Sequence, residues 1–174
     1  MKRHVALVGF MGTGKSTIGR KLARELGCAF FDTDSLIVRA HGAIAEIFAR
    51  EGEAAFRRYE RETIEHVLRS GEAGVVALGG GALTVAENRA LLKEGAHRIF
   101  LRSSPEQILR RVRRSRERRP LLGKRPTLAT IKKLYDERFA QYADADHVVE
   151  AERLSDRAVL DDILQWLSEK NIAF

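Results

Sequence analysis

Residues 9–16 read Gly-Phe-Met-Gly-Thr-Gly-Lys-Ser, matching the phosphate-binding pattern G-x-x-x-x-G-K-S/T at each fixed position. The octet demands a strand before it and a helix after it, and both signals are there. Val5, Ala6, Leu7 and Val8 form the short apolar run of a buried parallel strand, and residues 17–26 carry the periodicity of an amphipathic helix. Such a loop works because glycines let the backbone close around a polyphosphate, turning several N–H groups and the positive end of the helix dipole toward the anion. Gly12, Thr13, Gly14, Lys15, Ser16 and Thr17 make up the cradle. Lys15 supplies a mobile charge for the β- and γ-phosphates, and the Ser16 hydroxyl is placed to ligate the Mg²⁺ that accompanies ATP. The plain alternative is a Gly-rich turn with a chance Lys-Ser, and the flanking strand and helix weigh against it.

At 174 residues the chain has room for one substantial core and not for two domains of ordinary size, so a single domain over 1–174 is expected. With 44% hydrophobic and 32% charged residues it reads as an ordinary soluble globular chain, and no apolar run approaches the length of a membrane span. Lys2 and Arg3 precede an apolar stretch, but that stretch runs into the phosphate loop without a cleavage site, so a first strand is expected rather than a leader. One cysteine, Cys28, excludes an internal disulfide and suits a reducing cytoplasm, as a small buried filler rather than a nucleophile.

Net charge of +7 and the arginines at 110, 111, 113, 114, 116, 118 and 119 raise the question of nucleic acid. No aromatic-interleaved RNA motif, zinc-finger spacing or helix-turn-helix signature accompanies them. A protein that holds ATP together with an acidic small molecule needs the same excess of cations. Arginines for ATP and a solvated helix face are therefore expected, with neither nucleic acid nor membrane as partner. A monomer is the default for this size without a long exposed apolar heptad.

Periodicity and punctuation predict strands at 4–8, 29–31, 74–78, 98–101 and 147–149, and helices at 15–26, 43–50, 53–69, 87–93, 105–114, 128–142 and 155–168. Five short strands alternating with helices point to a three-layer α/β fold with a parallel sheet, in which ligands gather at the carboxyl ends of the strands. The irregular segment 115–125, polar, basic and punctuated by Pro120 and Gly123, reads as a mobile lid.

Two further constellations follow strands directly. After the second strand come Asp32 and Asp34, one suited to hold a water of the Mg²⁺ shell and the other to take a hydrogen bond or a proton from an attacking hydroxyl. Asp34 also stands where an aspartate would cap a helix entering at Ser35 and Leu36. After the third strand come Gly79, Gly80 and Gly81, costly in entropy unless backbone must approach something closely. Leu78 precedes them where a Walker-B carboxylate often stands, so Asp32 would have to compensate. Arg57 and Glu60, three apart on one helix face, are either an ordinary surface ion pair or a locked guanidinium fork for bidentate capture of a carboxylate.

The loop Gly-Phe-Met-Gly-Thr-Gly-Lys-Ser-Thr, the Phe31-Asp32-Thr33-Asp34 element, Gly52-Glu53-x-x-Phe56-Arg57-x-x-Glu60, the glycine triplet and Arg119-Pro120-Leu121-Leu122 together resemble the shikimate kinase family, in order and across nearly the whole chain. The resemblance implies a small P-loop kinase with a five-stranded parallel sheet that moves the ATP γ-phosphoryl group to the 3-hydroxyl of shikimate, on the way to chorismate and the aromatic amino acids. It implies that Asp34 binds the shikimate hydroxyls and assists the attacking one, that Arg57 clamps the carboxylate, and that backbone around Gly80 meets a ring hydroxyl. Arg138 is implied as the second carboxylate ligand. The family usually follows this arginine with a Pro-Leu-Tyr-like segment, whereas this chain reads Phe139, Ala140, Gln141, Tyr142: Arg and Tyr keep their spacing and the middle differs. Arg119 would contact ATP phosphates on lid closure, joining Lys15 and Asp34 in catalysis. Arg113 or Arg114 would stack on adenine, with Arg153 lining its pocket. The rival enzyme is a kinase of another hydroxylated carboxylic acid such as gluconate, and the rival from another class is a nucleotide-dependent regulator or basic nucleic-acid-binding module.

Overall fold

The computed structural model describes residues 4–115, 120–123 and 125–172. A parallel five-stranded sheet runs in the order β2-β3-β1-β4-β5, formed by β1 His4–Val8, β2 Ala29–Asp32, β3 Gly74–Ala77, β4 Ala96–Arg102 and β5 His147–Glu150. The apolar run of β1 makes it the central strand, where each residue is covered on both sides. Val5 lies between Val75 and His97, and Leu7 between Ala77 and Ile99.

Alternation along β1 divides the core. Val5 and Leu7 join Ile18 and Leu22 of α1 (Lys15–Leu26) and Val159, Leu160 and Ile163 of α7 (Asp156–Glu169) on one face. Ala6 and Val8 join residues from four helices on the other: Ile64 of α3 (Ile44–Arg69), Leu92 of α4 (Ala86–Gly95), Ile108 of α5 (Pro105–Arg114) and Ile131 of α6 (Leu128–Ala143). This is the expected three-layer arrangement, and the period of two in the strand is what builds it. Among the described residues no helix is long and apolar enough to cross a membrane.

Two elements differ from the sequence reading. A helix α2, Thr33–His41, fills a stretch to which no helix was assigned, and its cap is Asp32, whose side chain accepts from the Ser35 N–H at 3.0 Å. Asp34 lies inside the first turn, so the capping alternative passes to its neighbour. The two helices expected at 43–50 and 53–69 run together as α3, yet Gly52 has φ 82° and ψ 173°, so they meet at a kink rather than forming one straight rod. α2 and α3 enclose a core of their own, Ile37, Ile47 and Phe56. At the far end of α6, buried Arg98 of β4 pairs with Asp144 at 3.0 Å while its backbone N–H donates to Asp146 at 2.8 Å, fixing that helix end against the sheet.

Candidate active site

All the expected groups that the described residues include lie at the carboxyl edge of the sheet or on elements bordering it. β1 runs into the phosphate loop, whose shape is held from within: the Thr13 hydroxyl donates to Phe10 O at 2.9 Å, and Lys15 Nζ donates to Gly9 O and Phe10 O, both at 2.8 Å. Lys15, the first residue of α1, is only 8% exposed and folds back across its own loop. A cleft of about 360 Å³ opens there, lined by Gly14, Lys15, Ser16, Asp32, Asp34 and Gly80 among others.

The Ser16 hydroxyl donates to Asp32 Oδ2 at 2.5 Å, while Asp32 Oδ1 is occupied by the cap of α2. A hydroxyl and a carboxylate are the hard oxygen donors that suit Mg²⁺. Among the described residues no cluster of three or more His, Cys, Asp or Glu could cage a metal. An ion here would therefore draw its remaining ligands from water and phosphate, as Mg²⁺ commonly does, and the residues fit that mode. Leu78, buried just past β3, brings no carboxylate here, and the one beside Ser16 is Asp32 of the neighbouring strand.

The glycine triplet explains itself by what surrounds it. A Cβ on Gly79 would lie 2.7 Å from Asp34 Oδ1 and 2.8 Å from Glu60 Oε1; on Gly80, 2.8 Å from Met11 N; on Gly81, 2.6 Å from both terminal nitrogens of Arg57. Side chains at any of the three positions would collide with the site or with the phosphate loop. Thr33, fully buried, sews the two strand ends together, donating to Ala77 O at 3.3 Å and accepting from the Gly79 N–H at 3.1 Å.

The Arg57–Glu60 pair is not a surface ion pair, although Arg57 also reaches the exposed Glu53. Its Nη1 donates to Glu60 Oε2 at 2.8 Å, and its Nη2 donates to Glu53 Oε1 at 3.0 Å. Glu60 is 0% exposed. Burial pushes the Glu60 carboxyl above its usual value, with Arg57 pulling the other way. Burial also works against the Arg57 charge, and Glu60 and Glu53 outweigh it, so the guanidinium stays firmly protonated. Arg138, 6% exposed, lies over the Phe10 ring at 5.6 Å and donates from Nη1 to Gly80 O at 3.3 Å. The Tyr142 hydroxyl donates to the same oxygen. Arg57, Arg138 and Asp34 all act electrostatically on Glu60, so the three charged groups gather around it, and of them Asp34 lines the cleft.

A second cavity of about 320 Å³ flanks the phosphate loop on its other side, lined by Gly12, Thr17, Arg111, Leu154 and Val159 among others. The arginine that faces it is Arg111, which donates to Gly12 O at 3.2 Å, rather than Arg113 or Arg114. Arg113 turns to Pro126 O at 3.4 Å, and Arg114 is exposed. Arg153 is exposed too, while Ala151 and Leu154 on either side of it line the cavity. Arg119, with residues 116–118 and 124 of the expected lid, lies outside the described residues. Sequence reasoning passed over Arg111, Thr33 and the Tyr142 contact. A signal for the first existed: Ile108 and Val112 mark the buried stripe of α5, and Arg111 flanks it.

A phosphate loop on the central strand of a parallel sheet, with a hydroxyl and a carboxylate beside it, defines a P-loop kinase. At the level of fold alone, a deoxyadenosine kinase from M. mycoides with bound dATP has a TM-score of 0.64 at 19% identity, covering 95% of this chain and 99% of that one. The model of the family described as shikimate kinase matches residues 11–168, and the chain belongs to that family. It is 44% identical over 169 residues to a shikimate kinase of Geobacter sulfurreducens, covering 96% of this chain and 92% of that one. It is 39% identical to that of Moorella thermoacetica, covering 96% and 95%. Among solved structures, shikimate kinase from Acinetobacter baumannii in complex with shikimate has a TM-score of 0.91 at 36% identity, covering 98% of this chain and 95% of that one.

Proposed function

We propose that this protein is an ATP-dependent shikimate kinase, moving the γ-phosphoryl group of ATP to the 3-hydroxyl of shikimate and releasing ADP and shikimate 3-phosphate. The observation that carries this reading is the meeting of a phosphate loop with Asp34, half-buried Arg57 and buried Arg138 at one edge of the sheet. A kinase for a neutral alcohol has no use for that second half. Family membership and the likeness to a shikimate-bound relative support it.

In this reading Lys15 exchanges the Gly9 and Phe10 carbonyls for β- and γ-phosphate oxygens when ATP arrives. Ser16 and Asp32 hold Mg²⁺, which when bound neutralises charge on those phosphates. The forks of Arg57 and Arg138 take the shikimate carboxylate, and backbone at Gly79, Gly80 and Gly81 meets the ring. Asp34 accepts a hydrogen bond from the 3-hydroxyl and takes its proton as the new O–P bond forms and the bridge to the β-phosphate breaks. Positioning and charge neutralisation supply most of the rate, as in phosphoryl transfer generally. Adenine lies in the second cavity against Arg111, and Arg119 contributes positive charge toward the ATP phosphates. The enzyme works as a monomer in the cytoplasm.

ADP release followed by a coupled assay with Mg²⁺, in the presence of shikimate, gluconate or quinate, tests the proposal. Strong stimulation by shikimate alone is expected. Response only to another acid would keep the kinase and replace the substrate.

A further inference from the structure

The resemblance draws one residue from α6 to the acceptor side, Arg138, but the geometry uses two. One turn further along the same face stands Tyr142, 2% exposed, its ring stacked on Phe100 with centroids 5.3 Å apart. Its hydroxyl donates to the Gly80 carbonyl, the oxygen that also accepts from Arg138 Nη1 at 3.3 Å. The peptide at Gly80 abuts the phosphate loop at Met11, and a Cβ on the glycine to either side would run into Asp34 and Glu60 or into Arg57. One carbonyl is thus the joint between α6, the phosphate loop and the acceptor cluster.

We propose that Tyr142 is a positioning residue for acceptor capture: by holding the Gly80 carbonyl it leaves the Arg138 fork free to turn to the acceptor carboxylate. The proposal rests on the reading of the preceding subsection. A carbonyl oxygen has two lone pairs, and both are used here. The Arg138 bond, at 3.3 Å, is long beside the ~2.7–2.9 Å of a committed charge-assisted bond, so this arginine is only lightly tied to Gly80. Remove the tyrosine hydroxyl and the carbonyl loses its principal donor. A part-buried acceptor left with one long bond is under-satisfied, and the guanidinium that makes that bond is the group at hand to answer. Arg138 would settle onto Gly80 and withdraw from the carboxylate. Burial pushes the Tyr142 phenol up to about 12, with Arg138 beside it working the other way, so the hydroxyl keeps its donor proton throughout the working pH range.

Tyr142→Phe keeps the ring and its stack. The variant should raise the shikimate KM about tenfold, the worth of one hydrogen bond of ordinary strength, with the ATP KM and kcat within a factor of about two. In an Arg138→Ala background the same change should add nothing, because the two residues act as one unit. An unchanged shikimate KM, an equal rise for ATP, or full additivity with Arg138→Ala would each overturn the proposal. A second measurement covers a variant that does not fold: 3,5-difluorotyrosine at position 142 retains the shape but loses its donor proton at lower pH. Its shikimate KM should climb with pH where that of the unmodified enzyme stays level, and a level profile for both would also overturn it. The unmodified enzyme separates this from the parent reading. If it answers only to another carboxylic acid, the substrate falls and the cycle is read with that acid; if it answers to none, both fall.

Discussion

Burial decides what Arg57 is for. The three-residue spacing to Glu60 fits a surface pair and a locked fork equally well, and only the closed surroundings of Glu60 distinguish them. An arginine fixed by two carboxylates loses little further entropy when it meets a third, so its removal should fall on the acceptor alone. Arg57→Ala should raise the shikimate KM by roughly a hundredfold, in line with the ~1.5–3 kcal/mol of charged hydrogen bonds, and leave ATP affinity nearly unchanged; equal losses for both ligands would refute the assignment. Glu60 adds a pH signature. Its folded pKa lies above the ordinary carboxylate value because burial disfavours the charge. Its contribution to stability is therefore full below the unfolded value of 4.5 and is lost as pH rises through the folded one. Urea unfolding of the parent and of Glu60→Gln across pH 4 to 8 should show the parent losing stability relative to the variant as pH rises, and a constant gap would contradict it. Arg111 shows the opposite limit of legibility. Seven arginines crowd residues 110–119, and among the described ones only the helical phase that buries Ile108 and Val112 selects Arg111, which reaches Gly12.

Elements were readable where their period was long and their function single. The strands announced themselves by apolar runs, and the long helices by their stripes. α2 did not, because Leu36, Ile37 and Val38 are contiguous and blur a 3.6-residue period over nine residues, and because Asp32 serves two elements at once. That double duty couples the loop that receives phosphate to the helix that carries Asp34. Gly52 is the corresponding device in α3. Its φ of 82° with ψ of 173° is a combination almost confined to glycine, and nothing lies within 4 Å of where a Cβ would stand. The cost of a side chain there is therefore conformational and not steric. Gly52→Ala should lower stability by about 1–3 kcal/mol, seen as a lower denaturation midpoint with an unchanged slope. Because the kink sets the start of the helix segment carrying Arg57, the shikimate KM should rise while the ATP KM stays. Full stability in the alanine variant would mean that the helix straightens without penalty.

At the scale of the whole molecule, the order β2-β3-β1-β4-β5 places the phosphate loop between the strand ends that lead to its two cavities. A list of strands does not contain that order, since it depends on which faces the helices cover. In the proposed reading, nucleotide and acceptor are received by different elements that meet at few points, among them the Gly80 peptide against Met11. Each ligand alone should stabilise the fold through mass action. At a hundred times its Kd, a non-hydrolysable ATP analogue with Mg²⁺, or shikimate, should add about 2.7 kcal/mol, which for a chain of this size is a rise of roughly 5–11 °C in Tm. Together they should exceed the sum, because a ligand that orders the Gly80 turn from one side spares the second part of that ordering. Thermal unfolding with each ligand and with both measures this directly. Shifts that merely add would show the two halves to be independent, and no shift with shikimate would remove it as the acceptor whatever ATP does.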